Sequence, residues 1–374
     1  MEAIQKTTKT KSKRIKTIDF VRGISVLLMI PVHVMIVYST VATWEATPLG
    51  KVIQILEKGT PMFLVVMGMS FVFSGKMTMS TIFLRGLRVL ITGYSLNLMR
   101  FVVPMAFFGG FPDSFVQANG LTPGASENYV FYGLLGDILQ LAGISLIIMG
   151  LIIKFIKNKY AALVFTFLIV LLAKEIAGFR PGIPVVDYLC DLLWGKNYNV
   201  YFPVFPWMSF ILIGLFFGMW YREKGNDVRF MIGKMLPFGI AFIALGLGLC
   251  IYDKPYHFGD YYHLGPGGSI ILMGINLLLI WAGHKIVKFV PQKLYDIIAY
   301  ASRNVTNFYF IQWVIIYWGV LIFGYSLVDN QVQLLVTMVA YTVLSFGVLW
   351  VRNALVAQWK QKRAERKSLK RATA

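Results

Sequence analysis

A histidine lies inside the first long apolar segment of the chain, eleven positions after an arginine at the start of that segment. Eleven residues of α-helix rise about 16 Å and make about three turns, so Arg22 and His33 are predicted to share one helix face. An ionisable side chain is costly inside a membrane-spanning helix and therefore marks a candidate functional site. An imidazole could act there as a general base, because burial favours its neutral, proton-accepting form. The alternative is a neutral histidine that is hydrogen-bonded to a neighbouring helix.

Three arginines are predicted at the cytoplasmic ends of helices: Arg22, Arg85 and Arg88. Guanidinium groups bind phosphate oxygens through paired hydrogen bonds, so these arginines could receive the phosphates of a nucleotide cofactor. For Arg85 and Arg88, contact with lipid headgroups explains their positions as well as binding of a cofactor phosphate does. Asp19 could orient Arg22 as an ion pair or cap the start of the helix, and the sequence does not separate these two roles.

Asp137 and Gln140 lie three positions apart in the fourth apolar segment and are predicted to share a helix face. A carboxylate inside a membrane span is expected to face the interior of the helix bundle. Asp137 could therefore orient His33 or receive a proton. Pairing with an arginine for packing alone is the alternative.

Two further segments carry candidate binding residues. Trp207 ends the motif Tyr-Phe-Pro-Val-Phe-Pro-Trp at 201–207 and could belong to an interfacial aromatic belt or stack on a sugar. The start of the ninth apolar segment is unusually polar, and Asn304 there could contact a cofactor. Gln312, like Gln140, is a candidate substrate contact, although a hydrogen bond between helices would also explain Gln312.

The remaining histidines and cysteines give no metal-ligand pattern, and no metal site is predicted. His257 and His263 lack companions at suitable spacing and are expected to be exposed to solvent. Cys190 and Cys250 are both predicted on the outer side. They could form a disulfide, but two unrelated thiols are the favoured interpretation.

The composition indicates the class of protein that holds these residues. The chain has 374 residues, of which 57% are hydrophobic and only 14% are charged, with a mean hydropathy of +0.66. A soluble protein carries about 25% charged residues. The sequence therefore predicts an all-α, multi-pass bundle of membrane helices. The net charge of +19 is concentrated in two terminal tails. Beside membrane spans, such basic tails indicate a cytoplasmic location and contact with anionic lipid rather than nucleic acid.

About ten spans are predicted from windows of about 20 apolar residues. Their limits are 18–41, 51–74, 83–107, 129–153, 160–178, 203–222, 232–252, 268–288, 304–325 and 331–357. The connections assigned to the inside carry Lys76, Arg85, Arg88, Lys154, Lys157, Lys159, Arg222, Lys224, Arg229, Lys234, Lys285, Lys288, Lys293 and Arg303. Those assigned to the outside carry Glu45, Asp113, Glu127, Asp187, Asp191, Asp253, Asp260 and Asp329. This charge bias predicts a plasma-membrane protein with both termini in the cytoplasm.

The predicted organisation is a basic tail at 1–17, a transmembrane domain at 18–357 and a second basic tail at 358–374. The first apolar segment has full transmembrane length and no small-residue cleavage site follows it, so no cleavable signal peptide is predicted.

Three stretches carry a resemblance to a known family: residues 18–33, which hold Arg22 and His33; residues 59–68; and residues 201–207, with Gly214 after them. In these stretches the chain resembles a bacterial member of the heparan-alpha-glucosaminide N-acetyltransferase family and, more broadly, the membrane acyltransferases that acetylate surface polysaccharides. The resemblance implies transfer of an acetyl group from cytoplasmic acyl-CoA to a sugar at the outer face. It also implies that His33 is catalytic and that Arg22 binds the acyl-CoA.

The broader group shares the spacing from Arg22 to His33, whereas its ninth span often holds a histidine where Gln312 stands here. Many relatives lack an aspartate at the position of Asp137. A transporter or flippase of a lipid-linked sugar or small anion is the alternative function, and a small-solute channel is a more remote one. The acceptor, the choice of nitrogen or oxygen as its attacking atom, and formation of a homodimer are left open by the sequence.

Overall fold

The computed structural model describes residues 14–73, 78–153, 155–156 and 158–372, and the regular secondary structure in these ranges is helical. The helices are α1 Lys16–Tyr38, α2 Val41–Ala46, α3 Pro48–Glu57, α4 Met62–Phe73, α5 Met79–Asn97, a π-helical turn Leu98–Val102, α6 Val103–Phe107, α7 Asp113–Ala118, α8 Glu127–Leu134, α9 Ile138–Ile152, α10 Lys159–Leu172, α11 Pro184–Trp194, α12 Val204–Glu223, α13 Val228–Tyr252, α14 Lys254–Phe258, α15 Pro266–Ile286, α16 Gln292–Arg303, α17 Val305–Phe323 and α18 Gln331–Ala372. Most of the predicted basic N-terminal tail lies outside the described residues, as do Lys76, Lys154, Lys157 and the side chains after Arg366.

Eight helical stretches in the described part of the chain are long and apolar enough to cross a membrane. They are Lys16–Tyr38, Pro48–Phe73, Met79–Phe107, Val204–Glu223, Val228–Tyr252, Pro266–Ile286, Val305–Phe323 and Gln331–Arg366. Each coincides with one of the ten predicted spans, so the all-α, multi-pass prediction is confirmed. The total of ten spans and the cytoplasmic location of both termini stay predictions.

The other two predicted spans coincide with shorter helices, and the prediction of one continuous helix through 129–153 is wrong. The chain leaves the helical path after α8, where Gly136 forms an isolated bridge with Val200. A Cβ atom on Gly136 would lie 2.7 Å from Cγ1 of Val200, so this close approach requires glycine. Asp137 then begins α9 as its N-cap residue instead of lying within a continuous helix. Its carboxylate accepts a hydrogen bond from the backbone N–H of Ile138 at 2.7 Å, and its own N–H donates to Gln140 at 3.2 Å.

Helices α4 and α12 pack with their backbones in contact. A Cβ atom on Gly68 would overlap the carbonyl oxygen of Ile211, and one on Gly214 would overlap the carbonyl oxygen of Val65. Small residues at such crossings are the usual means by which membrane helices approach closely. Through α4, this pair packs beside α1.

Helix α1 lies at the centre of the fold and packs against α4, α15, α16, α17 and α18. Its last residue is held by side-chain and backbone hydrogen bonds. The Tyr38 hydroxyl donates to the carbonyl oxygen of Ile316 at 2.6 Å and lies 2.5 Å from the Tyr341 hydroxyl. The N–H of Val328 donates to the carbonyl oxygen of Tyr38 at 2.9 Å. These contacts fix the rotation of α1 five residues after His33.

Candidate active site

A cavity of about 120 Å³ lies beside His33, between α1, α4, α17 and the segments that precede α12 and α15. We call it the outer chamber, because the predicted outer loops contribute to its walls. Aromatic residues dominate these walls: Tyr201, Trp207, Tyr261, Tyr262, Trp313 and Tyr317. An engineered protein cavity of about 150 Å³ binds one benzene molecule, so the chamber accommodates a group of roughly that size.

Stacking, not hydrogen bonding, positions the His33 ring. It lies parallel to the indole of Trp313, with 3.8 Å between ring centroids and 23° between planes. Tyr309 presents its ring edge-on at 6.1 Å. Nδ1 of His33 is buried and has no hydrogen-bond partner among the described residues. The predicted alternative, a hydrogen bond from His33 to a neighbouring helix, therefore does not form at Nδ1 within the described part of the chain.

A buried ion pair lines the same chamber. Nη1 of Arg100 lies 2.9 Å from Oδ2 of Asp137, and the two side chains are only 2% and 9% exposed. Tyr309 donates to Oδ1 of Asp137 at 3.2 Å, and Nη2 of Arg100 donates to Asn97 at 3.0 Å. No described hydrogen bond joins Asp137 to His33. The carboxylate is engaged by Arg100, Tyr309 and its own helix, so it orients the arginine rather than the imidazole.

Sequence reasoning missed Arg100, although a signal was present. Arg100 lies in the outer part of the third predicted span, where the argument that singled out Asp137 applies equally. The structure places it in the π-helical turn, a feature common at functional sites. Its guanidinium carbon lies 4.6 Å from the ring centroid of Phe101 and 5.4 Å from that of Trp313. Trp313 therefore contacts both the imidazole and the guanidinium group.

Trp207 is fully buried and does not belong to a lipid-facing aromatic belt. Its Nε1 donates to the carbonyl oxygen of Tyr262 at 2.7 Å. Tyr261, the preceding residue, donates through its hydroxyl to the carbonyl oxygen of Glu57 at 3.2 Å. These bonds attach the segment between α14 and α15 to the bundle as one wall of the chamber.

The prediction that His257 and His263 are exposed is wrong, because both are only 7% exposed. Nδ1 of His263 lies 2.6 Å from Oδ2 of Asp260, and Nδ1 of His257 accepts from the N–H of Gly267 at 3.1 Å. Burial raises the pKa of Asp260, but hydrogen bonds from His263 and the backbone outweigh it and hold this pKa below its ordinary value. These hydrogen bonds of His257 and His263 help to hold the segment between α13 and α15 in its folded conformation.

A second cavity, of about 680 Å³, lies at the other end of α1. We call it the inner cavity. Its charged residues are Arg14, Asp19, Arg22 and Arg222. Arg22 donates to Asp19 at 2.7 Å and to Ser302 at 2.8 Å, and Asp19 makes no side-chain cap. Of the two roles predicted for Asp19, the ion pair with Arg22 is the one that forms, and three arginines against one carboxylate leave the cavity cationic.

Three helices, α1, α4 and α12, line both cavities. On α1, Arg22 lies at the inner cavity and Met29 at the outer chamber, a separation of seven residues or about 10 Å of helix. On α4, Ser70 and Leu64 are the corresponding residues. Between these residues, Ser25 and Val26 on α1 and Val65 and Val66 on α4 are fully buried. We call this stretch the septum.

A family model described as heparan-alpha-glucosaminide N-acetyltransferase, catalytic, matches residues 14–253. This match covers well over half of the chain. The protein belongs to this family. The resemblance seen in the sequence is thus confirmed, and the chain is a multi-pass membrane protein of an acetyltransferase family. No curated protein matches the sequence.

In this acetyltransferase-family protein, two of the three arginines predicted to bind a cofactor lie away from Arg22 and the inner cavity. Arg85 and Arg88 are exposed on α5 and line neither cavity. Asn304 also lies apart from both, at the junction of α16 and α17, where it donates to the carbonyl oxygen of Tyr300 at 2.9 Å and accepts from Asn353 at 3.1 Å. The inner cavity is instead lined by Arg14 and Arg222, which were not among the predicted site residues.

The two predicted glutamine contacts are buried but line neither cavity. Gln140 closes the capping box with Asp137, and its Nε2 has no described partner. Both amide atoms of Gln312 are buried without a partner among the described residues. The hydrogen bond expected between Gln312 and another helix does not form. Cys190 and Cys250 are free thiols, and the described residues contain no group of three or more His, Cys, Asp or Glu side chains placed to hold a metal ion.

Proposed function

We propose that this protein transfers an acetyl group from cytoplasmic acetyl-CoA to a sugar hydroxyl or amine on the opposite side of the membrane, with His33 as general base. One observation carries the proposal. A single helix, α1, presents an arginine to a cationic cavity at one end and a buried imidazole to an aromatic chamber near the other. The helix thus connects a site for an anionic donor with a site for a neutral ring.

The inner cavity suits the phosphate-bearing head of acetyl-CoA. Arg14, Arg22 and Arg222 supply guanidinium groups, which bind phosphate oxygens in bidentate fashion. Asp19 and Ser302 hold Arg22 in one orientation before any ligand binds. Bound in this way, acetyl-CoA supplies an activated thioester. Exposed Arg85 and Arg88 are better placed to contact lipid headgroups.

The outer chamber suits the acceptor. The rings of Tyr201 and Tyr262, which line the chamber and are only partly buried, offer apolar surface to a sugar ring, and the tyrosine hydroxyls of the walls offer hydrogen bonds. His33 takes the proton from the acceptor hydroxyl or amine as that group attacks the thioester carbonyl. A positioned base of this kind contributes about 10²–10⁴-fold to the rate. Stacking on Trp313 keeps the imidazole fixed while leaving Nδ1 without a competing protein partner.

Purified protein in vesicles, incubated with acetyl-labelled acetyl-CoA and a panel of hexosamine acceptors, tests the proposal. We expect thioester consumption in the wild-type protein and a loss of about 10²–10⁴-fold in His33→Gln, with binding of CoA retained. Arg22→Gln should instead weaken CoA binding, whereas Arg88→Gln, an exposed arginine on another helix, serves as its control. Wild-type turnover that survives in His33→Gln contradicts the base. Flux of a lipid-linked sugar without any consumption of acetyl-CoA would favour the flippase.

A further inference from the structure

Arg100 is held by the protein at two of its three nitrogens. Nη1 pairs with Asp137 at 2.9 Å and Nη2 donates to Asn97 at 3.0 Å. Nε is buried and has no hydrogen-bond partner among the described residues. A buried donor without a partner is costly, and such groups in folded proteins call for an explanation. The guanidinium therefore has a fixed orientation and an unused hydrogen-bond donor.

Arg100 lines the same chamber as His33. Arg100 and His33 both line a cavity of about 120 Å³, and both contact the indole of Trp313. The two side chains therefore face one common space. Apart from its partner Asp137, the guanidinium is surrounded by the rings of Phe101, Trp313 and Tyr317 rather than by water, which strengthens its electrostatic interactions.

We propose that Arg100 binds the carbonyl oxygen of the reacting thioester and stabilises the negative charge that develops on it. The inference rests on the proposed acetyl transfer and adds a residue to that site. As the acceptor atom bonds to the carbonyl carbon, its proton passes to His33 and the carbonyl π electrons move to the oxygen. That oxyanion lies between two positive groups, the imidazolium and Arg100. When it collapses, the carbon–sulfur bond breaks and the departing thiolate takes the proton back from His33.

The arrangement around Arg100 favours this role over packing alone. An ion pair that serves packing needs no unpaired donor, and apolar residues commonly replace such buried pairs without loss of stability. Asp137 neutralises the charge of the resting site, while its contacts with Tyr309 and with the start of α9 keep it from moving toward the imidazole. Asp137 and Asn97 are thus positioning residues, and Arg100 is the group that touches the substrate.

The test compares Arg100→Lys with Arg180→Lys. The control arginine also pairs with an aspartate, donating to Asp191 at 2.7 and 2.5 Å, but it lies in the outer loop and outside the chamber. We expect Arg100→Lys to lower kcat by about 10²–10³-fold, as loss of an oxyanion donor does. The KM for acetyl-CoA should change by less than about threefold and the pH profile should keep its shape. Arg180→Lys should retain wild-type kcat.

A second variant, Arg100→Ala, covers two cases: the Arg100→Lys protein does not fold, or its lysine takes over the contact made by the arginine. Added guanidinium chloride should raise its turnover, whereas the same concentration of ammonium chloride should not. A kcat within about threefold of wild type in Arg100→Lys overturns the inference, as does folded Arg100→Ala that guanidinium does not rescue. If wild-type protein consumes acetyl-CoA and His33→Gln does not, either result removes only the role of Arg100. If the wild type is inactive with every acceptor, the proposed acetyl transfer itself fails.

Discussion

Replacing Asp137 with asparagine removes the charge that neutralises Arg100 and changes little else in the shape of the site. Asparagine is as good an N-cap residue as aspartate, so the start of α9 should persist. Its amide oxygen also remains available to the Tyr309 hydroxyl. The loss is therefore confined to the interaction with the guanidinium group, whose side chain is only 2% exposed.

Removing one partner of a buried ion pair costs about 3–5 kcal/mol, because the remaining charge is left in a poorly solvated place. We expect Asp137→Asn to lower the free energy of unfolding by that amount. The double variant Arg100→Gln/Asp137→Asn, with two neutral amides, should regain most of the loss. Its kcat for acetyl transfer should nevertheless be about 10²–10³-fold below that of wild type, since the cation is gone.

Reversible unfolding of the purified protein in mixed micelles, titrated with a denaturing detergent, measures both variants against wild type. A cost below about 1 kcal/mol for Asp137→Asn would show that water reaches the guanidinium, contrary to the burial described here. A double variant no more stable than the single one would show that the destabilisation does not come from an unpaired Arg100. Either result refutes the reasoning.

Three further predictions follow from other parts of the fold. Gly214→Ala should destabilise the protein by more than about 3 kcal/mol in the same titration, because its methyl group would overlap the backbone of Val65, whereas Gly233→Ala, with open space around it, should not. Because the pKa of Asp260 in the folded protein lies below its ordinary value of 3.8, its pairing should stabilise the protein at pH values above 3.8, and this stabilisation should be lost as the pH falls through the folded pKa. Asp260→Asn should remove this part of the pH dependence of the melting temperature. Val26→Phe should thicken the septum and lower acetyl transfer at least tenfold while binding of adenosine 3′,5′-bisphosphate stays unchanged, and a transfer rate equal to wild type would show that the thioester takes another route.

Hydropathy and local periodicity predicted much of the architecture. Eight candidate spans follow from apolar length alone, and Arg22 and His33 lie on one helix, as the apolar segment that holds them predicted. The break before α9 was also present in the sequence, since Asp137 followed three residues later by Gln140 is a capping-box pattern. The surrounding apolar residues concealed it, because a 20-residue window averages over a single polar turn.

The partners of His33 could not be predicted in the same way. Trp313 lies 280 residues after the histidine, and Arg100 reaches Asp137 from a different helix. Such pairings depend on how helices cross, which no periodicity within one segment reports. The burial of His263 has the same origin, because its environment is built by Asp260 and by a backbone carbonyl of a distant loop. Arg85 and Arg88 were predicted to bind a cofactor but are exposed outside both cavities. A position at a helix end does not say which side of the helix faces a ligand.

The septum on α1 also bears on energy conservation in a cell that maintains a proton gradient. A chain of water molecules joining the two cavities would conduct protons and discharge that gradient. Instead, about 10 Å of helix with buried side chains, including Val26 and Val66, separates the two cavities. The proposed acetyl transfer would require an acyl group to pass this barrier while it stays closed to ions, which places two opposing demands on the valines there.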